Sequence, residues 1–481
     1  MTTISRRQLL RRGAVAAGGA AVALSPASTL GHKQTKRRPI IGDLQEDPGG
    51  LLDLPPGFRY RVLSAEGELL SSGAPVPGDH DGMAAFRGRG GTTVLVRNHE
   101  LTGTETPAVD GSNPYDSASP GGTTGIVVGP DRRELESFVT NSGTSTNCAG
   151  GATPWGTWIT CEEIRIDGHG FVFEVDPRDP ENELSRTPIR DMGFFSHEAV
   201  DIDPRSGIVY LTEDDFRGVI DPTDPSNDKR SSFLYRYLPN DRRPRPRALQ
   251  RGGRLEALAI EEAPGQDADF FDSGQRFGIV WRAVNSEEPH DDALAKGCVR
   301  FNRLEGCHFA GGAFWFADTA GGEGRLGQIF RYLPGTETLE LFLEATDSND
   351  MESPDNVTIA PWGDLWFCED GSGEDRVMGI TPDGDTYQFA NNSLNGSELA
   401  GITFAPDGHT AFVNIQSPGL TFAIWGGFGG HRHGRDRRLA AATPPTGLGP
   451  RVSPVLAEAA ERHGLSRLEA AAYDRLGVAL I

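Results

Sequence analysis

Lysine is nearly missing from this chain. Of 46 basic residues only Lys33, Lys36, Lys229 and Lys296 are lysines; the rest are arginine, against 68 Asp and Glu, for a net charge of -22. Such an excess of negative charge excludes nucleic acid and anionic membrane surfaces as partners, because both repel it. Cysteine is scarce and odd in number, at five, which excludes a closed disulfide framework. Cys161 and Cys368 fall inside apolar runs and read as buried packing, while Cys298 and Cys307 could pair, though nothing in the sequence demands it. Long apolar runs are also lacking. The one at the start, Gly13 to Leu24, is too short to span a bilayer as a mature helix. Helical spacing is confined to an Ala- and Leu-rich stretch from Ser453 to Ile481.

What the chain has in quantity is glycine (62) and proline (33), set between short β-branched and aromatic runs. That pattern favours many short strands joined by tight turns. One stretch, NCAGGATPWGTWITCEE from Asn147 to Glu163, returns as PDNVTIAPWGDLWFCED from Pro354 to Asp370. Aligning Pro154 with Pro361 sets Cys148 against Asp355, each six residues before the turn proline. The same ruler places Glu198 six before Pro204, Glu305 six before Gly311 and Asp81 six before Arg87. A sixth copy has Ala400 at that position before Pro406, with the acid Glu398 two residues earlier. Each copy reads as a β-hairpin, so the polar residue opening its first strand and the acid closing its second lie at one end. The expected pairs are Cys148 with Glu162, Glu198 with Glu213, Glu305 with Asp318, Asp355 with Glu369, and Asp81 with Asn98 or Glu100. Six hairpins arranged radially, each with outer strands, make an all-β, six-bladed β-propeller with its polar ends at one mouth.

Crowded carboxylates repel one another, and bound cations relieve that repulsion. Cys148 stands where other copies carry a carboxylate, and a thiolate among acids needs a cation to stabilise it, so it reads as a metal ligand. The outer strands are expected near Gly170 to Val175, Ser232 to Leu238, Phe277 to Val284, Gly327 to Leu333 and Val377 to Ile380. The acid-rich stretch from Gly265 to Arg300 reads as a solvated excursion. Trp155 and Trp362 occupy one turn slot and read as packing.

Four segments result. Residues 1–31, with Ser5-Arg6-Arg7-Gln8-Leu9 before the mildly apolar run, read as a twin-arginine export signal cut between Ala23 and Gly31. Residues 40–428 form the propeller, 429–452 a basic, Pro- and Gly-rich linker holding His431 and His433, and 453–481 a short C-terminal helical extension. Export would deliver the chain to the periplasm, the exterior or the cell surface, with no membrane segment left after signal removal.

The motifs NHE at 98–100, NCAGGATPWGTWITCEE at 147–163, HEA at 197–199, FNRLEG at 301–306, SPDN at 353–356 and ELAGITFAPDG at 398–408 together resemble the PhoX-type alkaline phosphatases over about Gly57 to Trp425. The resemblance implies a propeller whose mouth holds two ferric ions (Fe3+) bridged by oxide and flanked by calcium ions (Ca2+). By motif it makes Cys148, Glu198 and Glu305 iron ligands, and Glu100, Glu162, Asp355, Asn356 and Glu369 calcium ligands. It implies hydrolysis of a small phosphorylated substrate, with Arg303 clamping the phosphate through its planar fork. Two other readings fit the residues: a calcium-dependent phytase-like or lactonase-like hydrolase, with no use for Cys148, and a non-catalytic secreted propeller stapled by calcium.

Overall fold

The computed structural model describes residues 39, 41–215 and 231–428. The expected export signal, the linker and the helical extension lie outside the described residues. Six antiparallel sheets form the blades of a propeller, in chain order around the axis. Their innermost strands are His80–Arg87, Asn147–Ala152, His197–Ile202, Leu304–Ala310, Pro354–Ile359 and Leu399–Phe404, and each packs beside the next until the sixth meets the first. The ring is closed by an N-terminal strand, Arg59–Ala65, which pairs with Leu420–Trp425 as the outer edge of the sixth blade. Similarly Leu52–Asp53 adds to Thr386–Asn392 in the fifth. Closure in this way ties the two ends of the propeller together and leaves no long unpaired edge between first and last blades.

Blade faces bury their alternate apolar residues against the neighbouring blade. Between the fifth and sixth, Trp362, Trp366, Phe389, Phe404 and Phe428 form one aromatic cluster. Trp362 is thus turn packing, as its slot predicts, and Trp155 is fastened by its indole N–H to Glu174 Oε1 at 2.7 Å. All five cysteines are buried and free. Within the stretch from Gly265 to Arg300, the outer strand expected near Phe277 to Val284 is present, split in two, so the stretch as a whole is not a solvated excursion. It supplies an outer strand to the fourth blade (Arg276–Gly278), one to the third (Val280–Ala283), and the one α-helix among the described residues, Pro289–Ala295. What the sequence did not show is that the expected strand divides between two blades and that a helix follows it.

Four of the expected hairpin pairs are displaced by one residue, while in the first blade Asp81 lies opposite Asn98 as expected, sharing it with Gly82. Glu162 faces Asn147, Glu213 faces His197, Asp318 faces Leu304, Glu369 faces Pro354, and His99 faces His80. The cause is a β-bulge at the same place in the first five blades, where three inner-strand steps match two on the partner. In the sixth blade the bulge comes one residue later, after Ala400. A spacing rule read from sequence counts residues along one strand and cannot register an extra one.

Candidate active site

The bulges decide what each blade presents at the axis. Asp81, Cys148, Glu198, Glu305 and Asp355 are each the first residue of a bulge, freed from the ladder at the mouth of the ring. The residue after is small in four of the five, because the inner strands converge there. A Cβ on Gly82 would lie 2.5 Å from Ala149 Cα, and one on Gly306 2.5 Å from Val357 N. Two residues before the bulge the backbone turns left-handed in four blades: Asp79 (φ 42°), Thr146 (49°), Arg303 (64°) and Ser353 (47°). For residues other than glycine that conformation is strained. It is held by a bond repeated in every blade, from the N–H of the residue following the second strand to the carbonyl of that turned residue or its counterpart. Glu100 donates to Asp79 (3.0 Å), Glu163 to Thr146 (2.9 Å), Asp214 to Ser196 (3.2 Å), Thr319 to Arg303 (2.8 Å), Asp370 to Ser353 (3.0 Å) and Gln416 to Glu398 (3.1 Å).

These bonds sort the acidic doublets. In Glu162-Glu163, Glu213-Asp214 and Glu369-Asp370 the second member is tied to the mouth, while the first points into its own blade. Glu162 accepts from the N–H groups of Ser145 (3.0 Å), Gly170 (2.9 Å) and Phe171 (3.1 Å) and from His169 Nδ1 (2.6 Å). Glu369 accepts from Glu352 N–H (2.8 Å) and Arg376 (2.5 Å). The structure therefore does not bring Glu162 or Glu369 to the mouth; their oxygens staple the loop that carries the left-handed turn. Asn356 is also engaged, donating to Asp355 Oδ2 (2.8 Å) and accepting from Gly401 N–H (2.7 Å), so it orients Asp355.

Four of the eight metal-ligand candidates from sequence, Cys148, Glu198, Glu305 and Asp355, meet in two groups that share Glu198. Cys148, Glu163 and Glu198 form one, and Glu198, Glu305 and Asp355 the other; in each the ligand atoms lie within 4.8 Å of one another. A fifth, Glu100, joins Asp81 and Glu398 in a third group. Glu163, Asp214 and Asp370 were missed as site residues. The signal available was the doublet itself, since neighbours on a strand point to opposite faces.

The electrostatics are those of a site built for cations. Burial, then Glu305 and Asp355, hold Glu198 well above the usual carboxylate range, and burial with Asp214 does the same for Glu305. Burial raises Asp355 and Glu100 to about 7. Burial, Glu198 and Glu163 push the Cys148 thiol up, and its Sγ lies 3.3 Å from His197 O. Two carboxylate oxygens here, Asp214 Oδ1 and Asp355 Oδ1, are buried without any hydrogen-bond donor. Orphaned buried oxygens of that kind are costly unless a cation meets them, and carboxylates with one thiol suit a mixed hard and soft metal set. The residues present fit such a group.

One guanidinium stands among these acids. Arg303 Nε donates to Asp214 Oδ2 (3.0 Å), Nη2 to Glu305 Oε1 (2.6 Å), and Nη1 lies 3.6 Å from Asp370 Oδ2. Its side chain is 21% exposed, so the fork reaches the open side of the mouth. On the far side of the bulges the inner strands enclose an axial cavity of about 320 Å³, lined by residues such as Met83, Val200, Phe309 and Ile402 and holding none of the clustered acids. No helix among the described residues is long and apolar enough to cross a membrane.

The family model described as alkaline phosphatase PhoX matches residues 40–136 and 123–419. Among solved structures, the chain is similar to Pseudomonas fluorescens PhoX in complex with vanadate, a transition state analogue, at 19% identity and a TM-score of 0.60, covering 83% of this chain and 99% of that one. A gluconolactonase from Xanthomonas campestris (15% identity, TM-score 0.36, 73% and 96% covered) and a luciferin-regenerating enzyme (10%, 0.43, 78% and 98%) are more distant in shape. No curated protein sequence matches.

Proposed function

Since the chain belongs to the alkaline phosphatase PhoX family, and so is a phosphatase, we propose that the acidic mouth hydrolyses small phosphomonoesters with bound iron and calcium. The observation that carries this reading is the convergence of Cys148 and seven carboxylates into three touching groups beside a single arginine. Cys148, Glu198 and Glu305 would hold iron, with Glu163 and Asp355 completing the two groups joined at Glu198. Asp81, Glu100 and Glu398, which offer oxygen alone, would hold calcium. When bound, the metals supply positive charge against the phosphoryl oxygens and the leaving oxygen.

The chain's own residues prepare that chemistry. Bulges and left-handed turns fix the ligands on the ends of rigid strands, so they need no reorganisation when substrate arrives. Asp214 and Glu305 hold the Arg303 fork in one orientation, from which the guanidinium would clamp the phosphate. Asn356 sets the plane of Asp355 from below. Burial keeps water away from these groups and strengthens each charge interaction.

The test is hydrolysis of p-nitrophenyl phosphate with calcium present, after chelation, and after calcium is restored. Activity should disappear and return. Turnover that persists once metal loss is confirmed would sink the reading. The Arg6-Arg7 motif supports export by the twin-arginine route, and replacing both with lysine should leave the chain in the cytoplasm if that is right.

A further inference from the structure

The carboxylate that closes the second strand of a blade is buried, and in three blades a cationic side chain of the protein meets it. His169 Nδ1 lies 2.6 Å from Glu162 Oε1, His290 Nδ1 3.0 Å from Glu213 Oε1, and Arg376 Nε 2.5 Å from Glu369 Oε2. In the first and sixth blades the position is His99 and Ile415, with no charge to meet. The fourth blade breaks the rule. Asp318 is wholly buried, its Oδ1 accepts from Asn302 N–H at 2.7 Å, and its Oδ2 has no partner. The basic side chain near it, Arg325, is paired with Asp269 at 3.3 Å.

Directly across the strand pair stands Gln328, also wholly buried, with Oε1 unpartnered. Its Nε2 donates to Ala268 O (3.3 Å) and Glu344 Oε2 (3.2 Å), so the two acceptors decide which end of the amide is oxygen. The two orphaned oxygens converge. The point a Cβ would occupy on Gly321 lies 2.6 Å from Asp318 Oδ2 and 2.8 Å from Gln328 Oε1. A third buried oxygen, Asn302 Oδ1, also lacks a donor; it belongs to the segment facing that turn, where Asn302 Nδ2 donates to Ala320 O at 2.9 Å.

Two converging buried acceptors with a third beside them and no donor form a combination that a folded interior rarely leaves unfilled, and a cation satisfies all of them at once. The set is oxygen alone, from one carboxylate and two amides, which suits a hard cation that accepts irregular cages. We propose that Asp318, Gln328 and Asn302 form a structural calcium site inside the fourth blade, on the opposite face of the strand from the mouth. There calcium takes the part that His169, His290 and Arg376 play in their blades.

The full chain, purified and equilibrated with calcium chloride, is compared with Gly321→Ala and Asp318→Asn by elemental analysis and thermal melting. Gly321→Ala puts a methyl group where the oxygens converge without changing charge. Asp318→Asn puts an N–H where Oδ2 was, facing Gln328 Oε1. Each variant should lose one calcium per chain while iron content stays at the wild-type level. After chelation, Asp318→Asn should melt above the wild type, since its oxygens are satisfied without metal. Equal calcium in wild type and both variants overturns the proposal, and so does an Asp318→Asn protein that melts no higher than wild type in chelator. A proton on Asp318 shared with Gln328 would produce the equal-calcium result. Should Gly321→Ala fail to fold, Asp318→Asn decides alone.

Discussion

Cutting Glu162 back to alanine and, separately, Glu163, should give opposite phenotypes although the two are neighbours. Glu162 takes four hydrogen bonds, from the N–H groups of Ser145, Gly170 and Phe171 and from His169, all within 3.1 Å. Glu162→Ala strands three backbone donors and an imidazole in a site with no exposure. At about 1 kcal/mol or more for each stranded donor, partly offset by entering water, the cost is roughly 3–5 kcal/mol. For a propeller of this size that corresponds to a fall in melting temperature of about 4–6 °C. Glu163 faces the mouth among like charges, and burial with Glu198 and Asp214 holds it well above the usual carboxylate range. Removing it relieves repulsion, so Glu163→Ala should melt at or above wild type in chelator, while hydrolysis of p-nitrophenyl phosphate falls by about 10²-fold, as for loss of a ligand that holds a catalytic metal. Differential scanning fluorimetry with and without chelator, beside the activity assay, reads both. The division of the doublet is refuted if Glu162→Ala keeps the wild-type melting temperature, or if Glu163→Ala shares its loss.

Metal-stripped protein should lose stability as pH rises. Glu100 and Asp355 are held at about 7 chiefly by burial, so the folded chain keeps protons that the unfolded chain releases near pH 4. That contribution is complete below about pH 4 and disappears as pH climbs through 7. Melts between pH 5 and 8 in chelator should fall steadily, and metal-loaded protein should not show the fall, because bound cations replace the protons. A flat profile in chelator contradicts this assignment of burial. Arg303→Lys keeps the charge and loses the fork, so metal content should hold while activity drops on the order of 10²-fold; an unchanged rate would remove Arg303 from phosphate binding.

The propeller was legible because its turns repeat: a Pro or Gly at a fixed distance from a polar residue, in Pro154, Pro204, Gly311 and Pro361, marks each hairpin whatever fills the strands. The mouth was legible for Cys148, Glu198, Glu305 and Asp355 for the same reason, since the ruler ends on them. It failed for Glu162 and Glu369 because neighbours on a strand point to opposite faces, and a ruler counted along the inner strand does not say which member of each acidic doublet faces the mouth. The left-handed backbone at Arg303 and Ser353 was equally hidden, as neither residue type announces that conformation. Asp318 was expected at the mouth opposite Glu305. Only the structure shows it turned into its blade, against Asn302 and Gln328, where the pattern of the other blades becomes visible.

The measurement closest to the central claim is the metal content and visible spectrum of the purified chain beside those of Cys148→Ser. A cysteine sulfur on ferric iron absorbs in the visible, whereas calcium with oxygen ligands is colourless. The wild type should contain iron and calcium together and be coloured. In Cys148→Ser, which changes side-chain volume little, colour and phosphatase activity should fall together while the melting curve in chelator stays near that of wild type. Wild-type protein without iron, or a Cys148→Ser variant with full activity, would contradict an iron-dependent mouth and point to a hydrolase that works with calcium alone.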